Sequence, residues 1–173
     1  IGNIYNNLSS IIIGKFYTPS QLGLFGKANT LASYPSMQMT GVILNVAYPV
    51  LAKIQDDSSQ LIVAYRRMLR MSTFVIFPFM VGLAVIAKPF ILCVLGDKWT
   101  GMIPLLQILC FSFMWDPING MNMNLLQVKG LSNLYLKLDI IKKIIGFAVF
   151  GVTIPLGIKA ICIGLLIVAL INI

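Results

Sequence analysis

Histidine and glutamate are both absent from this chain, and only 10% of its residues are charged, so few side chains can give or take a proton near neutral pH. There is no GxSxG turn and no glycine-rich phosphate loop, and no nucleophile has a base in plausible reach. The sequence therefore argues against an enzyme, and nothing in it requires a cofactor. Cysteine is scarce as well. Cys93, Cys110 and Cys162 lie in separate apolar stretches with no CxxC pair, which excludes a disulfide framework and a metal centre and leaves them packing roles.

What fills the space is apolar. Of the 173 residues 58% are hydrophobic, and the mean hydropathy of +0.92 lies far outside the range of water-soluble domains. Thirteen Lys and Arg against five Asp give a formal charge of +8. Those cations are too scattered along apolar sequence to form a nucleic-acid-binding face, and the excess suits lipid headgroups better.

An ionised group at mid-bilayer costs roughly 3 kcal/mol or more, and a helical span needs about 20 apolar residues, so charge-free intervals mark the spans. None of the charges falls between Lys27 and Lys53, between Arg70 and Lys88, or between Lys143 and Lys159, and Asp116 alone interrupts the stretch from Lys98 to Lys129. The expected division is an all-α polytopic bundle in one domain over residues 1–173. It has a partial helix at 1–16, complete helices near 22–52, 60–88, 99–127 and 133–155, and a second partial helix at 158–173. The absence of an initiating Met and of a signal-peptide pattern, with a finish inside an apolar run, is what a fragment would show.

Local signals punctuate these helices. Thr18-Pro19-Ser20 opens one, Asp56-Asp57-Ser58 caps the next, and Gly130 with Ser132-Asn133 separates two more. Pro35, Pro78, Pro104 and Pro117 are expected to interrupt helices within their spans. Lys and Arg accumulate on the cytoplasmic side of short loops. Lys53, Arg66, Arg67, Arg70, Lys129, Lys137, Lys142 and Lys143 outnumber Lys15, Lys27, Lys88, Lys98 and Lys159, which makes the connections near Asp56 and Gly130 cytoplasmic.

The helix at 22–52 carries Lys27, Thr30, Tyr34, Gln38, Gly41, Asn45 and Tyr48 at spacings of 3, 4, 4, 3, 4 and 3, which puts them on one face. A cation with hydroxyls and amides on one long stripe cannot point at lipid tails cheaply. It should face other helices or a wet cavity, with Leu24, Leu31, Val42 and Val46 toward lipid or apolar neighbours. Polar glue between helices and a cavity lining are both open at this point. A second polar cluster places Asp116, Asn119 and Asn122 in the helix at 99–127; the two asparagines are further candidates for lining a cavity, and the intramembrane carboxylate is a candidate proton or cation site, a partner for a lysine, or a structural residue beside Pro117.

Arg66, Arg67 and Arg70, beside Leu61, Ile62 and Tyr65, read as an amphipathic helix start at headgroup level, and Lys142 and Lys143 follow Asp139 at a spacing that permits an ion pair. Both groups fit contact with anionic lipid.

The segments IIIGKFYTPSQLGLFGKANTLASYPS, VAYPVLAKIQDD, LAKPFILCVLGDKW, LLQILCF and NLLQVKGLSNLYLKLDIIKKIIG, in this order, resemble the bacterial polysaccharide (O-antigen type) flippases of the multidrug and oligosaccharidyl-lipid exporter superfamily. The resemblance implies a MATE-like bundle of two pseudo-symmetric halves around a cavity, of which this chain matches the start of the second. It also implies a multi-pass protein of the bacterial inner membrane that moves undecaprenyl-diphosphate-linked oligosaccharide for lipopolysaccharide, capsule or exopolysaccharide synthesis. Membrane lipids and other polysaccharide assembly proteins would be its partners. Lys27, within LGLFGKA, matches a cationic cavity position best, whereas Asp116 departs from the uncharged residue expected there. Two alternatives remain. A cation-coupled multidrug exporter of the same superfamily would make Asp116 central, and a membrane-embedded ligase or polymerase would need a catalytic extracytoplasmic loop that these short connections do not supply.

Overall fold

A computed structural model describes residues 16–172, and among these every regular element is helical. We label the α-helices α1 (Pro19–Lys53), α2 (Ser58–Val94), α3 (Ile103–Phe113), α4 (Asp116–Val128), α5 (Ser132–Thr153) and α6 (Ile158–Ile171), with 3-10 turns at Asp97–Met102 and Ile154–Leu156. The partial helix expected at 1–16 lies outside the described residues except for Phe16, as does Ile173.

The helix starts follow their local chemistry. Thr18 accepts from the Gln21 N–H at 3.4 Å while the Gln21 side chain accepts from the Thr18 N–H at 3.4 Å, a reciprocal capping box, and Pro19 at the first helical position loses nothing by lacking a donor. Asp57 caps α2 by accepting from the Ser59 and Gln60 N–H groups at 3.0 and 3.1 Å. Gly130 ends α4 with φ +68°, a left-handed conformation that a side chain would strain.

One expectation needs correction. The single helix at 99–127 is broken at Met114–Trp115 into α3 and α4. The cause is Pro117, whose ring would collide with the carbonyl four residues earlier, that of Phe113, where α3 stops. Pro104 and Pro117 therefore sit in the first turns of α3 and α4 rather than inside helices, while Pro35 and Pro78 do lie within α1 and α2. Phe77 of α2 packs edge-on to Trp115 at the break, with ring centroids 5.1 Å apart.

Helix α3 is the hub, packed against α1, α2 and α6, while α4 packs against α1, α2 and α5. Leu105, Leu106 and Leu109 of α3 are buried among Phe25, Ala28 and Ala32 of α1 and Ile76 and Met80 of α2. Gln107 donates to the Ala84 carbonyl at 3.1 Å, tying α3 to α2. Cys110 and Cys162 join this core, but Cys93 is exposed, so packing does not account for all the cysteines. A second cluster of Ala47, Leu51, Leu61, Met121 and Val128 closes the end of the bundle next to the α1–α2 turn.

The outside is apolar too. Phe74 is 79% exposed and Val85 72%, which is costly in water and cheap among lipid tails. Ser59–Val94 and Asp97–Val128 are long and apolar enough to cross a membrane. Ser72 and Thr73 of α2 donate to the carbonyls of Met68 and Leu69 at 2.7 and 3.0 Å, satisfying their hydroxyls within the helix.

Candidate functional site

The face of α1 that meets the bundle is made of small residues. Ala28, Ala32, Ser36, Thr40 and Ala47 are buried and let α3 and α4 come close. A Cβ on Gly120 of α4 would come within 3.2 Å of Thr40 and Leu44 side chains. With that face occupied, the other points away from the chain's own helices. Lys27, Thr30, Tyr34, Gln38, Asn45 and Tyr48 are all exposed, Tyr34 at 63%, and Gly41 is half-buried. The stripe is thus left uncovered by the described helices. Leu24 and Leu31 pack on the apolar core, as expected of them, and Val42 and Val46 stay exposed.

On the stripe, Thr30 donates its hydroxyl proton to the Gly26 carbonyl at 2.9 Å, leaving its oxygen as an acceptor. Lys27 contributes a cation, Tyr34 and Tyr48 contribute phenols, and Gln38 and Asn45 contribute amides. Such a set suits sugar hydroxyls and an anionic group; it has no nucleophile and base pair.

The polar residues of α4 serve the bundle. The break leaves the Phe113 carbonyl without a helical partner, and the buried Ser36 hydroxyl donates to it at 2.7 Å, with the Asp116 carboxylate a second acceptor at 3.2 Å. Ser36 has one proton to share, and the shorter contact is with the carbonyl. Asp116 itself sits in the first turn of α4, where the helix dipole favours an anion. It was expected to lie within a continuous helix; here it starts one.

Asn119 and Asn122, expected to line a cavity, are half-buried with their amide oxygens engaged inside the chain. Lys142 of α5 donates to Asn119 and, at 2.8 Å, to the Asn172 carbonyl at the end of α6; Tyr65 of α2 donates to Asn122. Lys142 therefore differs from the headgroup contact expected of it, for its ammonium ties three helices together. Lys143 pairs with Asp139 one turn away, and Arg66, Arg67 and Arg70 are exposed on α2.

Ser36 and Tyr65 were not read from the sequence as site residues. Ser36 carried a signal, since it lies on α1 opposite a proline-broken segment, but its partner could not be seen without the packing. Thr40 Oγ1 and Asn124 Oδ1 are buried and without a hydrogen-bond partner among the described residues.

A broken-helix bundle with large apolar side chains outside and one long polar stripe on an open side is consistent with an all-helical membrane protein. A family model described as polysaccharide biosynthesis protein matches residues 1–104. The lipopolysaccharide biosynthesis protein WzxC of Escherichia coli (strain K12) is 30% identical over 142 residues, 82% of this chain and 29% of that protein. An uncharacterized membrane protein in the cps region of Klebsiella pneumoniae is 29% identical over 170 residues, 98% of this chain and 35% of that protein. The teichuronic acid biosynthesis protein TuaB of Bacillus subtilis (strain 168) is 28% identical over 128 residues, 74% of this chain and 26% of that protein. The chain belongs to this polysaccharide biosynthesis protein family, and it spans about a third of the length of these relatives. No solved structure matches it.

Proposed function

We propose that this chain forms part of a flippase that moves polyprenyl-diphosphate-linked oligosaccharide units across the bacterial cytoplasmic membrane, and that the α1 stripe lines its path. The observation that carries the reading is the position of the stripe on the side of α1 that the chain's own helices leave open. From Lys27 to Tyr48 it runs about 30 Å along the helix, a rise of about 1.5 Å per residue, which matches the roughly 30 Å hydrocarbon core. The remainder of the full-length protein would cover it across a wet cavity.

In this reading α1, α2, the α3–α4 pair and α5 each cross the membrane, with the α1–α2 and α4–α5 turns cytoplasmic by the Lys and Arg distribution. The Lys27 ammonium meets the diphosphate, and Tyr34, Gln38, Asn45 and Tyr48 meet sugar hydroxyls, while the polyprenyl tail stays in lipid. Relatives are named for lipopolysaccharide, teichuronic acid and, in Rhizobium meliloti (strain 1021), succinoglycan biosynthesis transport. That variety favours a path that recognises the lipid-linked anion and tolerates different sugars. Other assembly proteins of the same polysaccharide would act beside it.

The test is made in the full-length protein, in a strain lacking its own copy. Lys27→Gln should lower surface polysaccharide about tenfold or more at normal protein abundance, with lipid-linked intermediate accumulating, the scale of one lost charge-assisted hydrogen bond. Lys27→Arg should keep most of the export. Normal export by Lys27→Gln would remove Lys27 from the path.

A further inference from the structure

Two grooves lie end to end along the α1–α2 seam and share Met68 and Met71. The inner one, about 610 Å³, is walled by apolar side chains, chiefly Val42 and Val46 of α1 and Met71 and Val75 of α2. The outer one, about 630 Å³, opens toward the α1–α2 turn and adds Ser59, Gln60 and Arg67. The seam thus changes along its length from hydrocarbon-like to polar and cationic. Its depth fits one leaflet: Val50 to Gln38 spans about 18 Å of helix, against about 15 Å for half the hydrocarbon core.

We propose that this seam holds one acyl chain of an anionic membrane phospholipid, with the lipid phosphate at the Arg67 guanidinium. Charge complementarity selects this occupant. A helix laid along the same seam would have to bury Arg67 or bring a carboxylate to it, whereas a phosphate at headgroup level meets it in a partly wet setting. Arg66 and Arg70 stand exposed on the same stretch of α2 and strengthen the local positive field. The carboxylates at the mouth are those of Asp56 and Asp57. Asp57 is held by the Ser59 and Gln60 amides at the helix start, about 15 Å along α2 from Arg67, which leaves the guanidinium free for a phosphate. The polar residues of the inner groove are Gln38 at its far end and Ser72, whose hydroxyl is already bonded to the Met68 carbonyl, so the stretch between is shaped for a chain of methylenes.

The proposal concerns a bound membrane lipid and its readout is lipid retention, so it stands or falls apart from the transport reading. The full-length protein is reconstituted into nanodiscs of phosphatidylcholine and phosphatidylglycerol, and the phospholipid that stays bound after detergent extraction is weighed by native mass spectrometry. Phosphatidylglycerol should be retained in preference, and Arg67→Gln should cut that preference about fivefold, the effect of one cation at a lipid surface. Val46→Trp and Met71→Trp, from opposite walls, should each expel both lipids at an unfolding temperature near that of the parent. Lys88→Gln, a remote exposed cation, should change nothing. An unchanged preference in Arg67→Gln would overturn the proposal. So would displacement of the bound lipid by stoichiometric undecaprenyl phosphate, which would assign the groove to the transported lipid, or retention unaltered by both tryptophan variants, which would mean that another helix fills the seam.

Discussion

Along one side of α1 the residues shrink to alanine and serine where α3 and α4 press in, and along the other Lys27, Tyr34, Gln38 and Tyr48 stand exposed. The two sides share a backbone and a membrane depth, so the contrast isolates what each side is for. Small residues gain close packing, which needs no polarity. A line of polar groups as long as the bilayer gains nothing from packing in this chain and would be costly against lipid, which is why the proposed function gives it a wet path to face. Stability and transport should therefore separate by face.

The strongest way to break that separation is to exchange the properties of the faces. Ala32→Leu, which forces three heavy atoms into a site with no exposed surface, should destabilise the protein by about 1–3 kcal/mol, read as lower abundance and a lower unfolding temperature in detergent. Tyr34→Leu should stay within about 0.5 kcal/mol in the same assay and yet reduce export. Equal destabilisation by both would show that the stripe is packing.

Next in size is the α3–α4 break, where a polar residue works on the packed side. Ser36→Ala strips the half-buried Phe113 carbonyl of its donor and should cost about 1–2 kcal/mol. Asp116→Asn keeps an acceptor for the same hydroxyl and should cost less in the unfolding assay. Loss of export in Asp116→Asn with full abundance would assign the carboxylate to ion coupling instead of helix initiation.

Smaller again is the contrast between neighbouring cations on α5. Lys142→Met removes bonds to Asn119 and to the end of α6 and should cost about 1 kcal/mol after allowance for its partial exposure. Lys143→Met gives up a pair with Asp139 one helical turn away and should cost no more than about 0.5 kcal/mol. Equal effects would mean that Lys142 does not join three helices.

The sequence showed where the helices start because caps are local: Thr18 with Gln21 and Asp57 with Gln60 need only three residues of separation. It showed the stripe because a 3.6-residue period is also local. It concealed the break before Asp116, since the apolar pattern continues through Met114 and Trp115 and a proline in a membrane helix is compatible with either a kink or a fresh start. It concealed the inward turn of Lys142 for a different reason. A lysine beside Lys143 and Asp139 reads as a headgroup contact, and its partners on α4 and α6 are 23 and 30 residues away in the chain. Which side of α1 is covered depends on those distant contacts too, so periodicity found the stripe without finding its outlook.

The contrast between the faces should fade at the turn, where α1 ends and both sides run out into water, and where a polar residue can act on the backbone alone. Asp57 is the case to test. The Ser59 hydroxyl, at 2.6 Å, and the Gln60 amide hold its carboxylate below the ordinary carboxylate range. A depressed folded-state value means that the cap is fully effective above the unfolded value, about pH 4, and is lost as pH falls through the folded one. Amide exchange at Ser59 and Gln60 should therefore quicken a few-fold in Asp57→Ala at pH 6, and the difference from the parent should vanish in acid. The Thr18 cap of α1 has no titrating group, so Thr18→Ala should quicken exchange at Gln21 by the same factor throughout that pH range. If the Asp57 effect persisted unchanged in acid, the carboxylate would not be what starts α2, and the charge at the mouth of the α1–α2 seam would have to be reassigned.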